Sequence, residues 1–135
     1  MRENLKYLRE ATCPVEVLID KALNDQDEYV RAVAVVHDFC PAEIIGHVAI
    51  NDPHYGPRGE AVCRKNCPPD ALAFAALNDP NPKVRQAAVR HPNCPLDALM
   101  AALHDTDKNV AFYASKNNGV KNIECIDHNN LFYWR

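Results

Sequence analysis

Apolar residues recur along the chain in short stripes with helical spacing. One stripe holds Val17, Leu18, Ala22 and Leu23, and related stripes follow about every 27 residues. Apolar residues three or four positions apart lie on one face of an α-helix. Each stripe therefore predicts a helix of about ten residues, which we call the first helix of a unit.

A second stripe follows each first helix after a polar turn. In the first unit it holds Val30, Val33 and Ala34, and the small Ala permits close helix packing. A helix with one apolar stripe cannot bury that stripe alone, so neighbouring units must stack. The turns share an aspartate, and these residues are Asp25, Asp52, Asp79 and Asp105.

A Cys-Pro pair precedes every first helix and marks the period of the repeat. The cysteines are Cys13, Cys40, Cys67 and Cys94, spaced by 27 residues. Three residues after each cysteine stands an acid, for example Glu16. We expect the cysteine to be the N-cap, proline to occupy the first turn, and the acid to reach back to the cap amide.

These patterns predict one all-α domain over residues 1–135, an α-solenoid of four two-helix repeats with a capping segment at each end. Val120 stands where a fifth cysteine would fall, so the last cap is degenerate. The predicted boundaries are an N-terminal cap helix at 1–12, repeats at 13–39, 40–66, 67–93 and 94–119, and a C-terminal cap with an aromatic tail at 120–135.

An arginine follows three of the four turn aspartates by six residues. The pairs are Asp25 with Arg31, Asp52 with Arg58, and Asp79 with Arg85, whereas the fourth unit has Ala111. One interpretation is a ladder in which each aspartate binds turn amides and an arginine of its own or the next unit. The other is a set of solvated surface charges.

The segment 79–95 resembles the leucine-rich repeat variant family, which repeats an Asp-Pro-Asp-Pro-Val-Arg-Ala-Ala-Val phrase. The resemblance covers residues 12–117, and the Asp-to-Arg spacing is also similar to that of HEAT-like repeats. It implies a right-handed α-solenoid of helix pairs, one member of which can be short. One family member carries an iron–sulfur cluster in a Cys-rich N-terminal segment; residues 1–12 contain no Cys, so no cluster is implied here.

Composition excludes several classes of function. The chain has 15 basic and 18 acidic residues, a net charge of −3, so no global field favours nucleic acid or an anionic membrane. It has no apolar stretch of bilayer length and no signal-peptide core at its N-terminus. We expect a cytoplasmic protein with reduced thiols.

The residues with reactive side chains do not form a recognisable catalytic or metal motif. Equivalent cysteines of stacked repeats stand about 10 Å apart, too far to share a zinc ion or a disulfide. A thiol at a helix N-terminus with a lowered pKa is an alternative to simple packing. We predict no enzyme activity, no metal site and no cofactor.

The second unit departs from the pattern at His54-Tyr55-Gly56-Pro57. Pro57 stands where the neighbouring units have Val30 and Val84, so we expect this second helix to start late or bend. The break reflects either function or sequence drift.

Basic or protonatable residues gather near the ends of the second helices. His37 and His91 are equivalent, and Arg64 takes their position in the second unit. They either complement helix dipoles or form a basic strip for an acidic partner or a phosphate backbone.

The leading hypothesis is a non-enzymatic protein-binding scaffold, an adaptor or inhibitor, with a groove of second-helix residues. The alternative is nucleic-acid binding by Arg64, Lys65, Arg90, His91 and Lys116. The aromatic tail either seals the last unit or anchors a partner. The predicted partner-binding residues are Arg31, Tyr55, Arg58, Arg64, Lys65, Arg90, His91, Lys116 and Trp134.

Overall fold

A computed structural model describes residues 5–121 of the protein. Nine helices cover most of this range, and a further helical segment begins at 118. The helices are α1 Leu5–Arg9, α2 Val15–Asn24, α3 Glu28–Val35, α4 Ala42–Asn51, α5 Tyr55–Val62, α6 Pro69–Asn78, α7 Pro82–Arg90, α8 Leu96–Ala102 and α9 Lys108–Lys116.

The helices after α1 form pairs, each made of a first and a second helix. The pairs stack in chain order. First helices α2, α4, α6 and α8 pack on one another, and so do second helices α3, α5, α7 and α9. The short α1 packs on α3 as the final turn of a preceding second helix would. The predicted α-solenoid is thus confirmed.

The Cys-Pro pairs do start the first helices, but the expected capping role is wrong. The N-cap is the proline, as in Pro14 with φ −60° and ψ 142°, and no side chain caps it. Because proline has no N–H, the acid cannot reach back to the cap. Instead the carboxylate of Asp70 accepts from the N–H of Ala71 at 3.0 Å. The cysteine side chains are buried in the core.

The second helices share one start position, and this contradicts the expectation for the second unit. Helix α5 begins at Tyr55, one period of 27 residues after Glu28 and before Pro82. Pro57 is its third residue, where a backbone N–H would have no intrahelical acceptor, so proline costs nothing there. The ring of Pro57 is buried at the position of Val30 and Val84.

Side-chain caps that the sequence reasoning missed fix these starts. Asp27, His54, Asn81 and Asp107 are the N-caps of α3, α5, α7 and α9, and each accepts a hydrogen bond from a first-turn N–H. His54 replaces the usual acid or amide by accepting from the N–H of Gly56 through Nδ1 at 2.9 Å.

The core within residues 5–121 divides into two clusters. A small N-terminal cluster joins Leu5, Leu8, Cys13, Leu18, Val30 and Val33. A larger one runs from Ala22 to Val120. Alanines such as Ala34, Ala61 and Ala88 are fully buried between the helices, as their small size allows. The solenoid therefore has a separate, smaller core at its N-terminal end.

Candidate functional site

The turn arginines form the predicted ladder, and each one joins two units. Arg31 donates from Nε and Nη2 to the carboxylate of Asp52 at 2.7 and 3.0 Å, and from Nη1 to the carbonyl of Asp25 at 2.8 Å. Arg58 repeats this with Asp79 and with the carbonyl of Asp52. Arg85 does so with Asp105 and the carbonyl of Asp79.

The aspartates of the ladder also hold the turn that follows them. Each carboxylate accepts one backbone N–H two residues on, as Asp79 does from Asn81 at 2.9 Å. The hydrogen bond to Asp52 raises the pKa of Arg31, although burial acts against it. Burial alone would raise the pKa of Asp105, but its bonds from Arg85 and the Asp107 N–H hold it lower.

Two residues predicted to bind a partner are therefore withdrawn from that role. Arg31 and Arg58 are buried, with every hydrogen bond directed into the ladder. A guanidinium that is paired bidentately with a carboxylate in this way has a structural role. The interpretation as solvated surface charges is also wrong.

A second row of polar side chains joins the units at the ends of the second helices. His37 donates from Nε2 to the carbonyl of Glu10 at 2.8 Å, and its Nδ1 accepts from the N–H of Phe39 at 3.0 Å. His91 makes the same contacts with Arg64 and Asn93. Because His91 is buried and both of its ring nitrogens bond within the array, it leaves the set of exposed contact residues.

Asn117 continues this row in the last unit. Its amide donates to the carbonyls of Val89 and His91 at 2.8 and 3.0 Å. Arg64 occupies the same position in the second unit and breaks the row. Its buried Nε has no hydrogen-bond partner among residues 5–121, and its Nη2 lies 3.6 Å from the exposed Asp38 carboxylate.

Two predicted cations, Lys65 and Arg90, come together, and Lys116 stands at the position equivalent to Arg90 in the next unit. We call the surface that carries Lys65, Arg90 and Lys116 the basic edge. Lys65 and Arg90 line one groove of about 470 Å³ between α5 and α7. The guanidinium of Arg90 lies 4.6 Å from the ring centre of Tyr113, and Lys116 Nζ lies 5.3 Å from that of Phe112. These cation–π contacts hold two of the charges in place.

The same side of the first unit carries apolar residues instead. A groove of about 260 Å³ is bordered by the apolar side chains of Val33, Val36 and Phe39, and its rim also includes Arg9, His37 and Asp38. We call it the apolar groove. Phe39 is 57 % exposed. Sequence reasoning missed this residue, although a phenylalanine in a polar turn between Asp38 and Cys40 was a visible signal.

The remaining predicted contact residues lie elsewhere. Tyr55 is 53 % exposed and its ring stacks on His54 at 4.8 Å. It stands at the amino end of α5, whereas Lys65 follows the carboxyl end, so the structure does not bring them together. Trp134 and the aromatic tail lie outside the described residues.

The structure does not support the alternative of a lowered thiol pKa and favours a packing role for the cysteines of the Cys-Pro pairs. Burial raises the pKa of Cys40 and Cys94 to about 11 and that of Cys67 to about 12. Cys63 is a free thiol exposed at the basic edge. Within residues 5–121 no cluster of three His, Cys, Asp or Glu could hold a metal, and no helix there could cross a bilayer.

Part of the chain is similar to a known protein family. Residues 82–107 match the model of the leucine rich repeat variant family. Over these residues the chain is similar to a leucine-rich repeat variant unit. The matched unit runs from α7 through the Cys94-Pro95 turn and α8 to the start of α9, so it contains Arg85, His91 and Asp105. No curated protein and no solved structure matches the chain.

Proposed function

We propose that this protein is a non-enzymatic scaffold that binds another protein through the carboxyl ends of its second helices. One observation carries the proposal: in the turn after each second helix, the cysteine that recurs is buried, and the residue before it, which changes between units, is exposed. Cys40, Cys67 and Cys94 recur and are buried. Exposed neighbours change from Phe39 to Asn66 and Asn93.

The type of residue on this surface supports recognition of a protein. Phe39 is exposed at the apolar groove and Phe112 is exposed beside Lys116. Aromatic and Arg side chains dominate protein interfaces. The polar residues that recur at the turns join one unit to the next. The exposed residues do not have this structural role, so binding to a partner can determine their identity. A rigid array that presents varied side chains is how solenoids bind. Whether the protein acts as adaptor or inhibitor depends on that partner.

Affinity capture from the native host tests this function. We expect a specific protein to be retained by the wild-type chain and lost with Phe39→Ser combined with Arg90→Gln. A matched variant, Leu77→Ser with Lys21→Gln, alters exposed residues of first helices and should retain it. Equal capture by both variants, or turnover of a substrate by the isolated chain, would contradict the proposal.

Nucleic-acid binding stays the second candidate because the basic edge supplies exposed cations. Three such cations support little affinity at physiological salt. Each phosphate that they neutralise adds to the affinity, and this contribution falls as the salt concentration rises. A mobility-shift assay at low salt tests it. A shift at micromolar protein that Arg90→Gln abolishes would favour this candidate over protein binding.

A further inference from the structure

We propose, on the basis of the function proposed above, that the bound partner segment is an extended acidic peptide that begins with an apolar side chain. The apolar side chain enters the apolar groove beside Phe39. Carboxylates further along the segment pair with the basic edge. The segment thus crosses the second helices from the first unit toward the last.

Charge complementarity is the first argument for this occupant. Lys65, Arg90 and Lys116 are exposed, and within residues 5–121 none of them forms an ion pair. Arg90 and Lys116 are already positioned over Tyr113 and Phe112. Cations that are held in place lose less conformational freedom when a carboxylate binds.

The direction of the segment follows from the change of character along the surface. The first unit presents Val36 and Phe39 but also Asp38, whose side chain is 92 % exposed. Because Val36 and Phe39 are exposed, an apolar side chain placed there removes apolar surface from water. The later units replace Asp38 by Lys65 and Val36 by Arg90 and Lys116 at equivalent positions. The apolar end therefore lies over the first unit.

The spacing of the units sets the spacing of the acids. Packed helices lie about 8–10 Å apart, and an extended chain rises about 3.3 Å per residue. Three residues of extended chain thus span about one unit. We expect one acid at every third position, with the first acid three residues after the apolar anchor.

The floor of the groove fits an extended backbone. Ala87 lines the same groove as Lys65 and Arg90, and its small side chain leaves room for a close approach. The Asn93 amide is exposed at the rim and reaches the Lys65 carbonyl at only 3.5 Å. It can offer a donor to a peptide carbonyl. A nucleic-acid backbone would place phosphates, and no apolar side chain, beside Val36 and Phe39, so an acidic peptide with an apolar end fits better.

Fluorescence anisotropy with two labelled peptides tests the inference. The first has the sequence Phe-Gly-Ser-Glu-Gly-Ser-Glu-Gly-Ser-Glu, and the second has the same composition with its three Glu adjacent. At low salt we expect the spaced peptide to bind about tenfold tighter, from two further charge contacts of modest strength. Equal affinity of the two peptides, or binding of neither, would overturn the proposal.

Matched variants locate the binding. Arg90→Gln with Lys116→Gln changes the last residues of α7 and α9, and should remove the tenfold preference. Lys83→Gln with Lys108→Gln changes charges at the amino ends of the same helices, and should leave it intact. Thermal melts of both variants check that the fold is kept. An equal effect of the two pairs would place the peptide elsewhere.

A third probe and the host partner distinguish a failure of this inference from a failure of the proposed function. An oligothymidylate that binds as tightly as the spaced peptide would replace the acidic peptide by nucleic acid. A host protein that depends on the basic edge, together with no preference between the peptides, would overturn this inference and leave the proposed function standing. A host protein that ignores the basic edge would overturn both.

Discussion

At the residue scale, Arg64 is the exception that shows how the row of side chains between units works. His37 and His91 each donate to a carbonyl of the preceding unit, at 2.8 and 2.7 Å. Arg64 has the same position but leaves its Nε buried without a partner among the described residues. The 27-residue spacing placed the three side chains at equivalent positions. Their charge suggested a basic strip on the surface, but in the structure this position requires a donor to the carbonyl of the preceding unit.

Arg64→His should therefore stabilise the protein. A histidine there can donate to the His37 carbonyl and accept from the Asn66 N–H, as its counterparts do. We expect a gain of about 1 kcal/mol in the free energy of unfolding, the usual net value of one such bond. Urea denaturation measures it, with Arg64→Gln as the control that removes the charge without supplying the ring. No gain relative to the control would contradict this account.

The thiols differ in accessibility, and this gives a second prediction at the same scale. Burial raises the pKa of Cys40, Cys67 and Cys94 to about 11, 12 and 11, so few of them are thiolates at pH 8. Cys63 is exposed. Iodoacetamide followed by peptide mapping should find Cys63 alkylated before these three. Faster labelling of Cys67 than of Cys63 would show that the turns open readily.

At the element scale, the ladder decides how one helix pair is joined to the next. Each arginine bonds a carbonyl in its own unit and a carboxylate in the next, which a six-residue spacing alone could not reveal. The spacing predicted a ladder, but which aspartate each arginine pairs with depends on how far the units are offset. The fourth unit has Ala111 in place of the arginine, so the ladder ends with Arg85.

Arg58→Met should be strongly destabilising, since it leaves the Asp79 carboxylate buried without its partner. We expect a loss of about 3 kcal/mol, as for other broken buried pairs. Lys21→Met is the matched control, because Lys21 pairs with Asp25 at 3.4 Å near solvent, and its loss should stay below about 1 kcal/mol. Chemical denaturation compares them. Similar losses in the two variants would mean that the ladder adds little.

At the scale of the whole molecule, stability is expected to be uneven. The N-terminal cluster contains six buried residues, far fewer than the cluster from Ala22 to Val120. The row bond between the first and second units is missing at Arg64, while Arg31 and Asp52 still join them. Opening the N-terminal end therefore exposes less apolar surface and breaks fewer polar contacts than opening the middle.

Hydrogen exchange should follow this order, with amides of α1 and α2 exchanging before those of α6 and α7. Leu8→Ala would sharpen the difference, because Leu8 is almost fully buried in the small cluster and its loss costs roughly 2–5 kcal/mol. We expect faster exchange in α1–α3 and little change in α7. Exchange that rises equally in all helices would show a single cooperative unit instead.

The sequence by itself determined the class of fold and the period, because stripes, prolines and turn aspartates act within a few residues of chain. The tertiary structure alone decided which residues reach a partner. Arg31, Arg58 and His91 were predicted to contact a partner, yet stacking places each against the next or preceding unit. The same stacking leaves Phe39, Lys65, Arg90 and Lys116 facing solvent. The physical reason is that only the offset between units determines which side chains are buried.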